Sequence, residues 1–365
     1  MKKLFKLLFA SLLTVSLLVA CGGTGDEGKD NDDGEKTLKI VAVLDSGGVD
    51  DKSFNESGWD GIQRFLEENN LPKDTATYLS STEDGSDHVT NLDKAANEGA
   101  DIVIAIGYLF EPALEEVAPK HPDVDFFFID GSLDGIPNVT STKFESQEGS
   151  YLVGLVAGLR ATEDGSMRVG FVGGMEGPDI GKFQAGFEQG VWESNPEVVI
   201  DVQYADSFQD AALGSQIATK MYDAGSNIIF HAAGAVGNGV IGAAKEYGDV
   251  FVIGVDKDQY DEGKDEGEAS VVLTSMLKRI DVASYTYLQE YYDNDGKVST
   301  NMYEFNLGNN GTDAEVTEGR NLTSEDITLI ADYVAKYKAG DLTISEESLI
   351  PNQKAMTKAE AEAQE

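Results

Sequence analysis

Short apolar runs recur along this chain, and they limit its fold more than any other feature. Leu38 to Leu44, Ala100 to Gly107 (ADIVIAIG), Asp125 to Asp130 (DFFFID), Met167 to Gly173 (MRVGFVG), Val198 to Ala205 (VVIDVQYA), Ile228 to Ala232 (IIFHA) and Val250 to Asp256 (VFVIGVD) are rich in Val, Ile and Phe. Runs of this length and composition, bounded by glycine or acid, read as strands buried on both faces of a parallel sheet. Helix-length segments separate them: Trp59 to Asn69, His88 to Glu98, Pro112 to Ala118, Ile180 to Glu193, Ala211 to Tyr222 and Val236 to Tyr247. Further strands are expected at Ala76 to Ser81, Asn138 to Phe144 and Ser270 to Leu277. The β-α-β-α-β order predicts a doubly wound α/β lobe. The pattern restarts at Met167, which predicts a second Rossmann-like lobe joined to the first by a hinge. A chain of 365 residues suits two domains rather than one core. Glu145 to Ala161 approaches the length of a membrane span, but its Gly/Ala-rich middle between Glu145, Glu148 and Arg160 fits close packing in a soluble protein better.

In open α/β sheets ligands bind beyond the carboxyl ends of the strands. The first run ends there in Asp45, and a Gly-Gly turn leads into Asp50, Asp51, Ser53, Phe54 and Asn55. An acid, a ring and an amide on one rim suit a small polar ring system better than a bulk phosphate. Two other runs also end in acids, Asp130 and Asp256. Two lobes of this design place their carboxyl edges face to face, so a ligand in the cleft touches both and favours hinge closure.

The formal charge is −39, from 66 acidic against 27 basic residues. Nucleic-acid phosphates need clustered Lys and Arg, so DNA or RNA binding is not expected. At the amino end Lys2, Lys3 and Lys6 precede an apolar stretch, Leu7 to Ala20, shorter than a membrane span of about 20 residues. It ends in Leu18-Val19-Ala20-Cys21-Gly22, and Cys21 is the chain's single cysteine. This resembles a bacterial lipoprotein signal. The resemblance implies a signal peptide at 1–20, cleavage before Cys21, a lipid on that thiol and often a further N-acyl chain such as palmitate. More than one acyl chain gives stable anchoring. Residues 21–36, Gly-rich and charged, read as a flexible tether.

The stretches VLDSGGVDDKSFNESGWDG, GFVGGMEGPDIGKFQAGFEQG, YADSFQDAALG and VIGVDKDQ resemble the basic membrane protein family, whose members include purine-nucleoside-binding lipoproteins of ABC importers. The similarity spans nearly all of residues 38–350. It implies the two-lobed type I periplasmic-binding-protein fold, with the chain crossing between lobes more than once. The expected division is lobe 1 at 37–143 plus about 278–297, lobe 2 at 144–277 plus about 298–350, and a polar tail at 351–365. The expected activity is capture of guanosine, adenosine or inosine and delivery to an ABC permease. No cofactor, metal or catalysis is implied, and the protein is expected as a monomer on the extracytoplasmic face of the cell membrane.

Carried over residue by residue, the resemblance places Phe54 and Phe208 on opposite faces of the purine. Asn55 and Asp130 reach its polar edge with Asp45 close by. Gly234 offers backbone to the ribose, Asp256 accepts from the ribose hydroxyls, and Lys278 donates to the sugar. Phe183 on the same lobe is an alternative to Phe208. The residue chemistry agrees: stacking on aromatics is worth about 1–3 kcal/mol per base, and a carboxylate accepts from vicinal hydroxyls. Taken singly, Asp45, Asp130 and Asp256 also suit helix caps, Phe54 and Phe208 suit a core, and Lys278 suits a helix start or a partner for Asp256.

Readings from other classes find less support. LDSGGVDD is similar to the D-x-D-P-G-x-D-D calcium motif of nucleoside hydrolases, but Leu44, Ser46 and Gly47 stand where two acids and the proline are needed. A surface adhesin or sensor is a third reading, compatible with ligand binding. His88, His121 and His231 lack metal-ligand spacing. No G-x-x-x-x-G-K-[ST] loop occurs, and Gly234 to Gly239 lacks the dinucleotide-binding order.

Overall fold

The computed structural model describes residues 38–364 except 266 and 268, so the expected signal peptide, Cys21 and the tether lie outside the described residues. The first lobe contains β1 (Ile40–Leu44), α1 (Phe54–Glu68), β2 (Ala76–Ser80), α2 (His88–Asn97), β3 (Ile102–Ile106), α3 (Glu111–Val117), β4 (Asp125–Ile129) and β5 (Val139–Phe144). Helix α4 (Ser146–Glu163) begins the second, followed by β6 (Arg168–Gly173), α5 (Pro178–Ser194), β7 (Val199–Tyr204), α6 (Ala211–Asp223), β8 (Ile228–Ala232), α7 (Ala235–Tyr247), β9 (Phe251–Asp256) and β10 (Val272–Lys278). The chain then runs through α8 (Ile280–Asp293), β11 (Met302–Phe305), β12 (Thr312–Ala314), α9 (Ser324–Ala339), β13 (Lys354–Met356) and α10 (Lys358–Glu362).

One sheet has the order β11-β5-β4-β3-β1-β2 and the other β12-β10-β9-β8-β6-β7-β13. Their central strands repeat one topology, with β6 to β10 standing where β1 to β5 stand. The strand order turns at β1/β3 and at β6/β8, the two switch points where an open α/β sheet leaves a crevice. The apolar runs explain the burial: every residue of β1, β3 and β8 is buried.

The structure departs from the expected division in two places. Residues 302–305, expected in the second lobe, pair parallel with β5 and complete the first sheet. The expected polar tail is part of the second lobe: β13 pairs antiparallel with β7, and Ala361 is buried in that lobe's core. Both segments cover a sheet edge whose backbone groups would otherwise lack partners. Helix α8 packs on the first sheet, with Ile280, Tyr287 and Leu288 in one core cluster with Ile40, Ile102 and Phe127.

The chain therefore crosses between lobes after β5, after β10 and after β11. The crossings lie side by side. Glu145 N donates to Phe305 O at 2.8 Å, Arg279 N to Gly311 O at 3.0 Å, and Phe144 stacks on Phe305 with centroids 5.1 Å apart.

The Gly/Ala-rich α4 packs against α5, and no helix among the described residues is long and apolar enough to cross a membrane. A Cβ on Gly190 would come within 2.1 Å of Tyr151 O, and one on Gly154 within 2.5 Å of Phe187 O. Backbone contact at this distance needs glycine. Alanine is ordinarily the better helix former by about 1 kcal/mol. Gly190→Ala is nevertheless expected to lower stability by about 1–3 kcal/mol, the range for overpacking. Urea denaturation of the variant checks this; an unchanged or raised midpoint would contradict it.

Candidate functional site

The facing carboxyl edges enclose a cavity of about 290 Å³, near the lower bound of about 300 Å³ for small-molecule pockets. Asp45, Phe54, Asn55, Asp130, Phe208, Gly234, Asp256 and Lys278 all line it, so the structure brings every residue expected from the sequence to one place. Phe183 lines it too.

Local structure explains each placement. Helix α1 starts at Phe54 rather than at the expected Trp59 because Asp51 caps it. Its carboxylate accepts from the backbone N–H of Ser53 (2.9 Å), Asn55 (2.9 Å) and Glu56 (3.0 Å). The first helical turn thereby presents Phe54 and Asn55 to the cavity. Asn55 Nδ2 donates to Ser46 O at 2.8 Å, and its buried Oδ1 has no partner among the described residues. An acceptor is thus left available at the rim.

Asp130 and Asp256 stand at the carboxyl ends of equivalent strands of the two lobes, β4 and β9. Both adopt left-handed backbone, with φ of 71° and 67°, a region that Asp tolerates better than most residues. Each is held from the opposite lobe. Lys278 Nζ at the end of β10 meets Asp130 Oδ2 at 2.6 Å, and Ser53 Oγ donates to Asp256 Oδ2. Lys278 is only 2% exposed, and its ammonium lies 5.1 Å from the ring centroids of Phe54 and Phe144 and 5.2 Å from that of Phe183. Phe183 is thus packed around the lysine. Phe208 is half-buried; its ring rests on Gly174, where a Cβ would come within 2.2 Å, and stands edge-on to Tyr108 at 6.5 Å.

The acids outnumber the cation, and burial pushes the pKa values of Asp45, Asp256 and Asp179 up. Asp45 rises to about 8, chiefly by desolvation and further by the charges of Asp130 and Asp51. Asp256 rises to about 7 by desolvation, with Lys278 opposing. Asp179, at the start of α5, rises to about 6 by burial and by the charge of Asp130. A buried carboxyl that is protonated near neutral pH is a hydrogen-bond donor as well as an acceptor.

The lobes are bonded to each other around the cavity. Asn238 Nδ2 donates to Asp51 O at 2.9 Å and Gln259 Nε2 to Lys52 O at 2.8 Å. Lys257 Nζ reaches Glu56 at 2.8 Å and Asp60 at 2.9 Å. Sequence reading named Asp51 on the rim but assigned no role to Lys52, Glu56, Asp60, Asn238, Lys257 or Gln259, nor to Tyr108 and Gln209 in the lining. Asp51 and Ser53 lie inside the quoted DDKSFN motif, but their roles as cap and cross-cleft donor carry no periodic signal. The glycines of 234–239 serve packing. Gly234 needs its φ of 55°, Gly237 sits over His231, and a Cβ on Gly239 would come within 1.9 Å of Ala211 O. The other histidines are structural as well: His88 Nε2 lies 2.7 Å from Asp45 O, and His121 Nε2 lies 2.7 Å from Asp93.

This is the architecture of a two-lobed solute-binding protein of the type I fold. Among solved structures, an ABC transporter solute-binding protein from Aeropyrum pernix K1 superposes with a TM-score of 0.74 at 24% identity, covering 85% of this chain and 93% of that one. The chain belongs to the family described as ABC transporter substrate-binding protein, PnrA-like, which matches residues 38–318. Similar proteins include the CD4+ T-cell-stimulating antigen of Listeria monocytogenes, 39% identical over 94% of this chain and 99% of that protein. The ABC transporter nucleoside-binding protein BmpA of Lactococcus lactis is 35% identical over 90% of this chain and 93% of that protein. Basic membrane protein A of Borreliella burgdorferi is 33% identical over 70% of this chain and 72% of that protein. Membership makes this a substrate-binding component rather than an enzyme, which sets the hydrolase reading aside. Asp51, which that reading needed as a calcium ligand, is occupied as a helix cap.

The raised pKa of Asp45 predicts a pH dependence. A carboxyl whose native pKa of about 8 lies above its ordinary 3.8 holds its proton more tightly when folded. Its contribution to stability is full below the ordinary value and is lost as pH rises through the native one. Asp45→Asn removes this ionisation. The stability of the ligand-free variant relative to wild type is therefore expected to improve steadily from pH 4 to pH 8. Urea midpoints across that range test it; a constant difference would contradict it.

Proposed function

We propose that this protein captures purine nucleosides outside the cell and hands them to an ABC permease. It is a lipid-anchored monomer held through Cys21, uses no cofactor and performs no chemistry. The observation that carries this reading is the convergence of Phe54, Phe208, Asn55, three acids and a buried lysine on one small cavity between the lobes. A heterocycle needs flat apolar faces and an edge of donors and acceptors; a sugar needs acceptors and donors for its hydroxyls. The printed name of the Lactococcus lactis relative, a nucleoside-binding protein, supports the same class of ligand.

The geometry supports the following roles. Phe54 and Phe208 stack on the two faces of the base. Phe208 suits this better than Phe183, because Phe183 is 3% exposed and committed to the core around Lys278. The unpartnered Asn55 Oδ1 accepts from the base edge, beside Asp130. Asp45, protonated near neutral pH, donates to it. Ser53 takes one oxygen of Asp256; the other is assigned to the ribose hydroxyls. Lys278 donates to the sugar, and Gly234 lets the backbone at the start of α7 approach it. With acids in excess of cations, the cavity favours a neutral ligand over a phosphorylated one.

Two measurements test this. Mass spectrometry of ligand co-purifying with the mature protein is expected to find a purine nucleoside. Calorimetry with guanosine is expected to give at least tenfold weaker binding for Asp256→Ala, about 1.4 kcal/mol, the lower end for a charge-assisted hydrogen bond. The free base is expected to bind far more weakly than its nucleoside. Equal affinities for base and nucleoside, or an unchanged Asp256→Ala, would remove the ribose contacts from the site.

A further inference from the structure

We propose that Glu83 is a positioning residue. It lies on the first lobe and fixes Phe208 on the second, so that lobe closure itself sets the stacking ring in place. The proposal rests on the stacking role given to Phe208 above.

Glu83 sits in the loop that joins β2 to α2. Its carboxylate accepts from Ser207 Oγ at 3.1 and 3.0 Å and from the backbone N–H of Phe208. Charge-assisted bonds of this kind are the strong ones. They also bridge the lobes, since residues 207 and 208 follow β7.

Within its own lobe the Phe208 ring packs against the edge of the core, while its backbone has little to bond to. Its carbonyl accepts from Val236 N at a long 3.4 Å, and the side chain of Gly174 is absent where the ring rests. The Phe208 N–H finds its partner across the cleft, so separating the lobes hands that donor to water. Ser207 passes the constraint on, because its Oγ accepts from Gln209 N at 3.0 Å and Asp210 N at 3.1 Å. The turn bearing the ring is therefore organised around a hydroxyl that the opposite lobe holds.

The loop that carries Glu83 is itself stiff. Asp87 accepts from Thr82 N at 2.9 Å, Asp84 accepts from Ser86 N at 3.1 Å, and His88 Nε2 ties the loop to Asp45 O at 2.7 Å. Glu83 is thus anchored to the strand end that delivers Asp45. The other cross-cleft bonds around the cavity hold α1, its preceding turn or, through Lys278, Asp130; among the described residues the Glu83 bond is the one of these that grips the backbone of a cavity-lining ring.

The experiment is a double-mutant cycle of Glu83→Ala and Phe208→Ala in the mature protein, with guanosine as the probe. Calorimetry gives affinities, stopped-flow gives rates, and thermal unfolding follows the ligand-free proteins. Glu83→Ala is expected to weaken binding about tenfold through faster dissociation, with association changed by less than about threefold. In the Phe208→Ala background the same change is expected to cost less than about threefold, because the ring it positions is gone. Glu83→Gln keeps one acceptor and is expected to fall between wild type and Glu83→Ala. Wild-type affinity in Glu83→Ala overturns the proposal. So does a full tenfold loss in the Phe208→Ala background, which would make Glu83 a general latch between lobes that does not act through the ring. Failure of the wild-type protein to bind any nucleoside defeats the functional reading itself, a result distinct from nucleoside binding that ignores Glu83.

Discussion

A lysine ammonium buried between two lobes needs a counter-charge, and here its direct ion pair comes from the opposite lobe. Lys278 is 2% exposed and meets Asp130 at 2.6 Å across the cleft, with three aromatic rings around the ammonium. Removing two charges from water costs several kcal/mol per ion before their attraction is counted. The pair therefore contributes little to the stability of either lobe alone. Its consequence is conformational: closing the lobes brings the charges together while it desolvates them, and opening returns both to water. Such a balance leaves closure to be tipped by whatever further hydrogen bonds a ligand adds.

The duplicated topology makes this arrangement reciprocal. Asp130 and Asp256 end equivalent strands, share the same left-handed backbone, and are each held from the other lobe, one by Lys278 and one by Ser53. Neither lobe completes its own binding edge. The cavity is a property of the closed pair, and its excess of acid over base follows from placing three strand-end carboxylates around one lysine. Desolvation then raises the pKa values of Asp45 and Asp256 toward neutrality. The wall thus carries less charge than its composition suggests, which suits a neutral, hydrogen-bonding ligand. Around the rim, Asn238, Lys257 and Gln259 on the second lobe reach Asp51, Lys52, Glu56 and Asp60 on the first. The same short stretch that caps α1 therefore also receives the second lobe.

The parallel strands were legible because a strand buried on both faces must be apolar throughout, and that leaves a continuous run in the sequence. The strand-end acids were legible for a related reason, since a charged residue closing such a run marks where the sheet meets solvent or a cleft. The resemblance to a known family named Asp45, Phe54, Asn55, Asp130, Phe208, Gly234, Asp256 and Lys278 together, and the structure gathers them in one cavity; of these, the residue pattern alone marked the strand-end acids Asp45, Asp130 and Asp256. Sequence reading missed β11, β12 and β13, whose residues (MYEF, TDA and KAM) lack the alternation of a half-buried strand. These segments are strands only because an open sheet edge offers unpaired N–H and C=O groups.

By itself, the order of residues determined two α/β lobes, their winding and the residue types gathered at their rims, because burial and backbone periodicity are local and repeat along the chain. Only the tertiary structure decided which lobe owns residues 302–305, where α1 begins, which acid pairs with Lys278, and that Glu83 grips the turn bearing Phe208. Those outcomes depend on contacts between residues far apart in sequence, such as Ser53 with Asp256 and Glu83 with Ser207. A single polar residue does not reveal its partner, since a hydrogen bond across a cleft leaves no period and no run to read.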